Sequence, residues 1–341
     1  MTVKTTHLGG TASGVVVGRV AHGLMTMHLR ATELSDEICF ASIKAGVDRL
    51  PPGVKMILNS GDFYSSTMGL QNVEMLGRFY AKYPEYADKT FLSVKGSVDV
   101  TAGIKPDCSI ENMRKSVINI AKALGTHKKM DLFQPARVDK TMSIEEILNN
   151  LVVLVKEGHF AHIGLSECRA ETLRRAHAVH PITAAEIEVS LTAYEAETKQ
   201  VIATANELGI AVLGYSPVGH AMLTGKIQSV ADLPENDWRR HFDRFQADNL
   251  QHNLSITSII ANIAAQKGVT QAQVAIAWVA SLGQHVIPLP GSSASERTLE
   301  NCAAGDVILS AEEIKALTAF AEAGAVKGAR YGGAQEAALW G

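Results

Sequence analysis

Short apolar runs alternate with helical segments along most of the 341-residue chain, and this alternation limits the fold more than any other feature. Most of the runs are continuously apolar and are bounded by turn residues. Such runs are typical of strands buried on both faces of a parallel sheet. One run lies near residues 16–24, and the others are residues 54–58, 90–94, 130–133, 161–165, 182–187, 211–214 and 285–289.

The intervening segments carry the start and stop signals of helices. In residues 143–158, Ser143 and Glu146 match a capping box, and Gly158 suits the end of a helix. Apolar residues between them recur at helical spacing. The same pattern recurs in residues 35–46, with Ser35 as cap and Gly46 at the end, and in residues 310–324, with Ser310 and Glu313.

Eight such βα units predict an α/β fold of the closed (β/α)8 type, a TIM barrel, formed by one domain over residues 1–341. No G-x-G-x-x-G motif follows the first run, which counts against a Rossmann domain. Residues 216–253 have weak periodicity and predict a long loop at the C-terminal face, of the kind that serves as a lid or binding loop.

Composition excludes several classes of function. Hydrophobic residues make up 46% and charged residues 20%, which argues against disorder. The net charge of −3 gives no basic field for nucleic acid and no reason to expect a membrane surface. No apolar run approaches the roughly 20 residues of a membrane span, and the N-terminus lacks the apolar core of a signal peptide.

Cysteine and histidine spacing gives no sign of a metal site or a disulfide framework. The four cysteines are far apart without a C-x-x-C pair, and the twelve histidines show no H-E-x-x-H spacing. We therefore expect reduced thiols, a cytoplasmic protein and no bound metal. No helix pattern demands a partner, so we expect a monomer.

Polar side chains gather where the predicted strands end. They are Asn59 and Tyr64, Lys95, Ala136 with Arg137, Ser166 with Glu167, Glu186 with Glu188, Tyr215 with Ser216, and residues 290–301. Alone, Lys95 or Tyr64 could be an ordinary surface residue. Together they indicate more, because a buried lysine near a tyrosine hydroxyl stabilises the phenolate and makes the tyrosine usable in proton transfer. Such a pair suits the reduction of a carbonyl group.

The chain resembles the aldo-keto reductases over nearly its whole length, and among them the fungal pyridoxal reductases. The matching pieces are "VGRVAHGLM", "NSGDFY", "LSVKG", "DLFQPARVD", "GLSE", "LGYSPVGHAMLTGK", "RRHFDRFQADN" and "VIPLPGSSASERTLEN", in this order. The likeness to the pyridoxal reductases lies in "GLMTM", "YPEYADKTFLSVKG", "DLFQPARVD" and "ETLRRAHAVHPI".

The resemblance implies a role for each of these residues. Tyr64 would be the general acid, Lys95 would lower its pKa, and Tyr215 would stack on the nicotinamide. Arg297 would receive the adenosine 2′-phosphate together with the start of a helix near Ser295, which implies NADPH rather than NADH. The other residues expected to bind the cofactor are Met25, Ser166, Glu167, Glu186, Ser216, Leu223, Lys226, Ser292, Ser293 and Asn301.

Two departures from the family pattern affect the expected site. Asn59 stands where most of the family has an aspartate, and Ala136 stands where most has a histidine. We expect the Lys95 charge to be left without a counter-charge, so that its pull on the Tyr64 proton strengthens. The space at Ala136 would admit a ring substituent of the substrate.

The substrate residues are expected on the loops at the barrel mouth, and include His28, Ala136 and Trp238. Arg137 could replace the missing histidine as a hydrogen-bond donor. However, adjacent strand residues face opposite sides, which favours a structural role for Arg137.

Three functions remain open from the sequence. The first is reversible NADPH-dependent reduction of pyridoxal to pyridoxine, and the second is the same chemistry on other aromatic or aliphatic aldehydes. The third is an NADP(H)-binding sensor or regulatory subunit with little turnover. Retention of both Tyr64 and Lys95 argues against the sensor, because a protein that only binds needs no proton relay.

Overall fold

The computed structural model describes residues 3–30, 32–102, 105–322, 326–331 and 336–341, and its centre is a barrel of eight parallel strands. The strands are β1 (His22–Gly23), β2 (Met56–Gly61), β3 (Thr90–Gly96), β4 (Leu132–Pro135), β5 (His162–Ser166), β6 (Ala184–Glu188), β7 (Ala211–Tyr215) and β8 (Val286–Leu289). Each pairs with the next, and the Gly23 amide donates to the Pro290 carbonyl oxygen at 2.9 Å, which joins β1 to the end of β8. This confirms the predicted barrel.

Eight helices connect or follow these strands. They are α1 (Asp36–Asp48), α2 (Gln71–Lys82), α3 (Ile110–Leu124), α4 (Ile144–Lys156), α5 (Ala170–Val179), α6 (Ala196–Leu208), α7 (Gln271–Ser281) and α8 (Ser295–Ala303). Additional helices span Met25–His28, Ala247–Asn253, Thr257–Lys267 and Ala311–Glu322. None of the helices in the described ranges is long and apolar enough to cross a membrane.

The first predicted strand divides into two pieces. Val16–Gly18 pairs antiparallel with Thr5–His7, and only His22–Gly23 belongs to the barrel. Val17 packs in the same apolar cluster as Ala184 and Ala211, the first residues of β6 and β7. The antiparallel pair therefore covers the N-terminal end of the barrel, leaving the C-terminal end for the loops.

The predicted capping box at the start of α4 is present. The Glu146 amide donates to Ser143 Oγ at 3.3 Å, and the Ser143 amide donates to Glu146 Oε2 at 3.0 Å. The helix ends at Lys156, and Gly158 has φ of +81°, as expected after a helix stop.

The predicted end of α1 at Gly46 is wrong, because the helix continues to Asp48. A Cβ at Gly46 would lie 3.1 Å from Thr298 Cγ2 and 3.3 Å from Met56 Cε, so close packing explains this glycine. Ser35 is the N-cap residue of α1, as expected. The predicted helix over 310–324 is observed over Ala311–Glu322, and its last two positions lie outside the described residues.

The long segment 216–253 is more ordered than a plain loop. It contains several 3-10 turns and the helix Ala247–Asn253. Apolar side chains within it form a cluster of their own, which includes Met222, Phe242 and Phe245. The sequence pattern did not predict these elements, because each is too short to show a repeating apolar face.

Candidate active site

Four polar side chains meet inside the barrel near its C-terminal end. They are Asn59 of β2, Lys95 of β3, Gln134 of β4 and Glu186 of β6, and all are buried. Their positions follow from the two-residue period of a strand, because Ile57, Phe91, Leu132 and Ala184 lie earlier on the same strands and form the apolar cluster inside the barrel. The same strand faces thus carry an apolar layer below and a polar layer above.

Glu186 accepts hydrogen bonds from the other three side chains. Lys95 Nζ donates to Glu186 Oε1 at 2.8 Å, and Asn59 Nδ2 and Gln134 Nε2 donate to Glu186 Oε2 at 2.7 Å and 2.5 Å. Lys95 Nζ also donates to Asn59 Oδ1 at 2.5 Å. We call Asn59, Lys95, Gln134 and Glu186 the lysine network.

The lysine network overturns one expectation from the sequence. Asn59 was expected to leave the Lys95 charge without a counter-charge, but Glu186 forms a buried ion pair with Lys95. Burial lowers the pKa of Lys95, while Glu186 raises it, and the pKa ends above its usual value. Lys95 is therefore a cation at neutral pH.

Tyr64 is buried in the loop that follows β2, beside the lysine network. Lys95 Nζ lies 5.2 Å from the centre of the Tyr64 ring. A Cβ at Gly61 would lie 3.0 Å from Tyr64 Cδ1, so the ring packs directly on the glycine backbone. The chain thus holds the tyrosine against the end of its own strand.

The proton on Tyr64 is held more tightly than the sequence suggested. Burial raises the pKa of Tyr64, Lys95 lowers it, and Glu186 raises it further. Lys95 acts in the expected direction, but the pKa of Tyr64 remains above its usual value. At neutral pH the hydroxyl carries its proton, which suits a proton donor better than a proton acceptor.

A buried arginine near the C-terminus closes one side of the mouth. Arg330 Nη2 donates to Glu167 Oε1 at 2.9 Å, and Arg330 Nε donates to Glu188 Oε2 at 2.9 Å. Arg330 Nη2 also lies 3.1 Å from the Tyr215 hydroxyl. The Glu167 side chain, expected at the carboxamide of the cofactor, is thus engaged in anchoring the C-terminal segment.

An aromatic wall stands beside Tyr215. It consists of His220, Trp238, Phe242 and Tyr331, with neighbouring ring centres 4.8–6.2 Å apart. The hydroxyls of Tyr331 and Tyr215 are 3.1 Å apart. Trp238 is 44% exposed, so the expected substrate residue is at the rim of this wall.

Arg137 lies beyond the strand to which the argument from alternation was applied, and its Nη1 donates to the Ala136 carbonyl oxygen at 2.6 Å. That argument does not apply because β4 ends at Pro135, and Ala136 and Arg137 lie beyond it. Burial lowers the pKa of Arg137, whereas Tyr215 and Glu167 raise it. The pKa of Arg137 ends above its usual value. Tyr64 acts in the same direction.

Ala136 and His28 are both buried, but in different surroundings. Ala136 follows β4 directly, and its amide donates to the Gly96 carbonyl oxygen at the end of β3 (2.9 Å). His28 Nδ1 lies 3.2 Å from Asn72 Nδ2 of α2, and burial and then Arg78 lower its pKa. No described contact joins His28 to the lysine network or to Tyr64.

The start of α8 offers donors for an anion. No described side chain caps its first turn, and Arg297 is exposed there. Ser293 precedes the helix, whereas the Ser292 hydroxyl donates to the Ala294 carbonyl oxygen at 3.0 Å. Free amides and a guanidinium fit the phosphate of a nucleotide.

The remaining residues expected at the cofactor lie at or after the ends of β1, β5 and β7, or on α8. Met25 is half-buried after β1, Ser166 is buried at the end of β5, and Asn301 is buried on α8. Ser216, Leu223 and Lys226 lie in the segment after β7, where Leu223 is buried and Lys226 is exposed. Over the described ranges, no group of three or more His, Cys, Asp and Glu could hold a metal ion.

Sequence reasoning missed Gln134, which donates to Glu186 in the lysine network, and the contribution of the C-terminal segment. Gln134 lies in the quoted "DLFQPARVD" stretch, two residues after Leu132, so strand alternation could have identified it. Arg330 and Tyr331 follow a long helix and have no motif of their own, so no local signal indicated them.

Comparison with known proteins agrees with this geometry. The sequence profile of the aldo/keto reductase family matches residues 19–322. A probable pyridoxal reductase 2 of Schizosaccharomyces pombe is 30% identical over 332 residues, which cover 96% of this chain and 98% of that protein.

Solved structures share the fold at lower identity. The glycerol dehydrogenase AKR11B4 of Gluconobacter oxydans has a TM-score of 0.79 at 22% identity, covering 94% of this chain and 95% of its own. The thermostable aldo-keto reductase Tm1743 has a TM-score of 0.70 at 18% identity, covering 93% and 99%. With a barrel of this form, a buried tyrosine and lysine at its C-terminal end and a profile match over most of its length, the chain belongs to the aldo/keto reductase family of oxidoreductases.

Proposed function

We propose that this protein reduces pyridoxal to pyridoxine with NADPH, with Tyr64 as the general acid. The observation that carries the proposal is the burial of Tyr64 beside the Lys95 ammonium. The similarity to a probable pyridoxal reductase supports the choice of substrate. Reduction of other aldehydes by the same residues is the alternative.

The geometry of Tyr64 and Lys95 supports the proposed acid step. The nicotinamide cofactor, when bound, supplies the hydride that the aldehyde carbon accepts. Tyr64 donates its proton to the carbonyl oxygen, which completes the alcohol and leaves a phenolate. The Lys95 ammonium stabilises that phenolate until solvent returns the proton.

The protonation of Tyr64 favours the direction of reduction near neutral pH. Reduction needs the phenol, whereas oxidation of the alcohol needs the phenolate. Because the pKa of Tyr64 is raised, the phenol predominates through the neutral range. The rate of reduction should therefore stay level there and fall only at alkaline pH, while oxidation should rise with pH.

NADPH rather than NADH is proposed from the start of α8. Arg297 and the free amides of the first turn would receive the 2′-phosphate, with Ser293 beside them. Tyr215, half-buried at the end of β7, would offer its ring to the nicotinamide. Ser166 would hold the carboxamide.

The substrate would lie between Ala136 and the aromatic wall. A compact aromatic aldehyde needs a flat apolar surface and a few polar contacts. Trp238 and its neighbours supply the surface, and Arg137 supplies donors that suit the ring hydroxyl of pyridoxal. The small side chain of Ala136 would leave space for a ring substituent.

The test is NADPH oxidation by the purified protein with pyridoxal. We expect turnover by the wild type and a loss of about 10²–10⁴-fold in kcat/KM for Tyr64→Phe, with NADPH binding retained. Tyr80→Phe is the matched control, because Tyr80 is also buried but its hydroxyl contacts Thr90 Oγ1 at 2.9 Å, away from the lysine network.

Each contrary outcome has a distinct meaning. Activity on other aldehydes but not on pyridoxal would reject the substrate and keep the mechanism. NADPH binding without turnover on any aldehyde would reject the enzyme and favour a sensor. Full activity of Tyr64→Phe would reject Tyr64 as the acid.

A further inference from the structure

Lys95 is the one side chain of the lysine network that only donates hydrogen bonds. This determines how the amide and carboxylate groups around it are oriented. An ammonium donates hydrogen bonds and accepts none. Asn59 must therefore turn its Oδ1 toward Lys95, which leaves its Nδ2 directed at Glu186. Glu186 accepts from Lys95, Asn59 and Gln134, and a carboxylate can do so because it is an acceptor at both oxygens.

An amide at position 186 would break this pairing. Its oxygen could accept from Lys95, but its NH2 group would then face the NH2 group of Asn59, whose amide Lys95 holds in one orientation. Turned the other way, its NH2 group would face the ammonium. Either orientation sets donor against donor in a buried site, and the Lys95 charge loses its counter-charge.

The pairing has one mirror solution. An aspartate at 59 could accept from Lys95 and also from the NH2 group of a glutamine at 186. Gln134 would then turn so that its Oε1, which has no hydrogen-bond partner among the described residues, accepts the second N–H of that glutamine. One carboxylate and one amide satisfy the network in either order, whereas two amides do not. The chain carries the amide on β2 and the carboxylate on β6, so the counter-charge reaches Lys95 from β6.

We propose that Glu186 is the positioning residue that serves as counter-ion to Lys95 and so determines how firmly the Tyr64–Lys95 pair keeps its proton. This rests on the proposed function, because it assigns Glu186 a role in the acid step. Glu186 acts through Lys95 and Asn59. Its carboxylate keeps Lys95 charged and in place, and its negative charge holds the proton on Tyr64.

Other charged groups bear on the same pair. Arg137 acts on Tyr64 from the end of β4 and lowers its pKa. Asp62 is two residues from Tyr64 in sequence, but its carboxylate is bonded to another element. Its Oδ2 accepts a hydrogen bond from Ser116 Oγ of α3 at 2.5 Å. Lys95 and Glu186 act on Tyr64 more strongly than Arg137 does, and they lie on β3 and β6.

The experiment compares the pH dependence of pyridoxal reduction in the wild type, Glu186→Gln and the double variant Asn59→Asp/Glu186→Gln. Removing the carboxylate makes the first proton leave the Tyr64–Lys95 pair more easily, whichever residue loses it. In Glu186→Gln, we expect the fall of kcat/KM at alkaline pH (the alkaline limb) to begin about one pH unit lower than in the wild type. We also expect kcat to be about tenfold lower.

The double variant should restore both quantities, with its alkaline limb within about half a pH unit of the wild type. Asn59→Asp alone retains Glu186, so its limb should not move to lower pH. Asp62→Asn is the matched control, since it removes a half-buried carboxylate that is near Tyr64 in sequence but bonded to α3, and its alkaline limb should stay in place.

A readout without turnover separates this proposal from the proposed function. The absorbance of the Tyr64 phenolate, taken as the difference between each variant and the same variant with Tyr64→Phe, gives the ionisation midpoint of Tyr64 directly. If no aldehyde is reduced, the proposed function fails, and the midpoint still tests Glu186. An unchanged limb and midpoint in Glu186→Gln, or a double variant no better than Glu186→Gln, would overturn the proposal.

Discussion

Replacing Arg330 by methionine would leave two buried carboxylates without their cation. Arg330 is 4% exposed and pairs at 2.9 Å with both Glu167 and Glu188, which are also buried. Burial raises the pKa of Glu188, and the Arg330 charge lowers it. The pKa of Glu188 ends far below its usual range. Glu188 therefore stays charged at neutral pH when the cation is present, and both carboxylates lie too deep to be hydrated in its absence.

The magnitude follows from burial. Removing one partner of a buried ion pair costs about 3–5 kcal/mol, because the other partner keeps its desolvation penalty. Whole domains are stable by only about 5–15 kcal/mol, so Arg330→Met should remove a large share of the free energy of unfolding. Arg78→Met is the comparison: Arg78 forms two hydrogen bonds with Asp36, but its side chain is 53% exposed. Exposed pairs contribute about 0–1 kcal/mol.

The assay is urea unfolding followed by circular dichroism, with amide hydrogen exchange of residues 326–331. We expect Arg330→Met to lose about 3–5 kcal/mol and Arg78→Met less than about 1 kcal/mol. A smaller loss in Arg330→Met, together with faster exchange in that segment, would mean that the segment has undocked and let water reach the carboxylates. Equal losses in the two variants with unchanged exchange would refute the reasoning.

Three further predictions concern the site and its support. Ala136→His should reduce the preference for ring-substituted over plain benzaldehydes, measured as the ratio of kcat/KM values; an unchanged ratio would contradict the proposed space at Ala136. Arg297→Ala should raise KM for NADPH about 10–100-fold and leave KM for NADH unchanged, whereas equal effects on both would reject a 2′-phosphate contact. Burial lowers the pKa of His22 to about 4, so the folded protein binds fewer protons than the unfolded chain below pH of about 6.5, and stability falls as the pH falls toward 4. In His22→Asn, the loss of unfolding free energy between pH 7 and pH 5 should be smaller than in the wild type by about 2 kcal/mol, measured by urea unfolding; an equal loss in both proteins would contradict the neutral, buried His22.

The predictions from the sequence succeeded where a local period or a single turn decides the structure. The buried runs and caps predicted the barrel and the capping box of Ser143 and Glu146, which the structure contains. The position of Lys95 at the end of a buried run predicted its place at the end of β3. The end of α1 was predicted wrongly at Gly46. A glycine that ends a helix cannot be told in sequence from a glycine that leaves room for a side chain packed against the helix.

The alternation of a strand determines which side chains face the inside of the barrel, and the sequence alone therefore indicated the layer in which Asn59 and Lys95 lie. It did not determine which side chains meet across that layer. Glu186 is separated from Lys95 by 91 residues, and only the closure of the barrel brings β6 close enough for the two to pair. Arg330 lies outside the barrel strands, and only the path of the C-terminal segment brings it to Glu167. Local periods assign a face to each residue, whereas contacts across a closed sheet depend on the curvature, register and docking of all its strands at once.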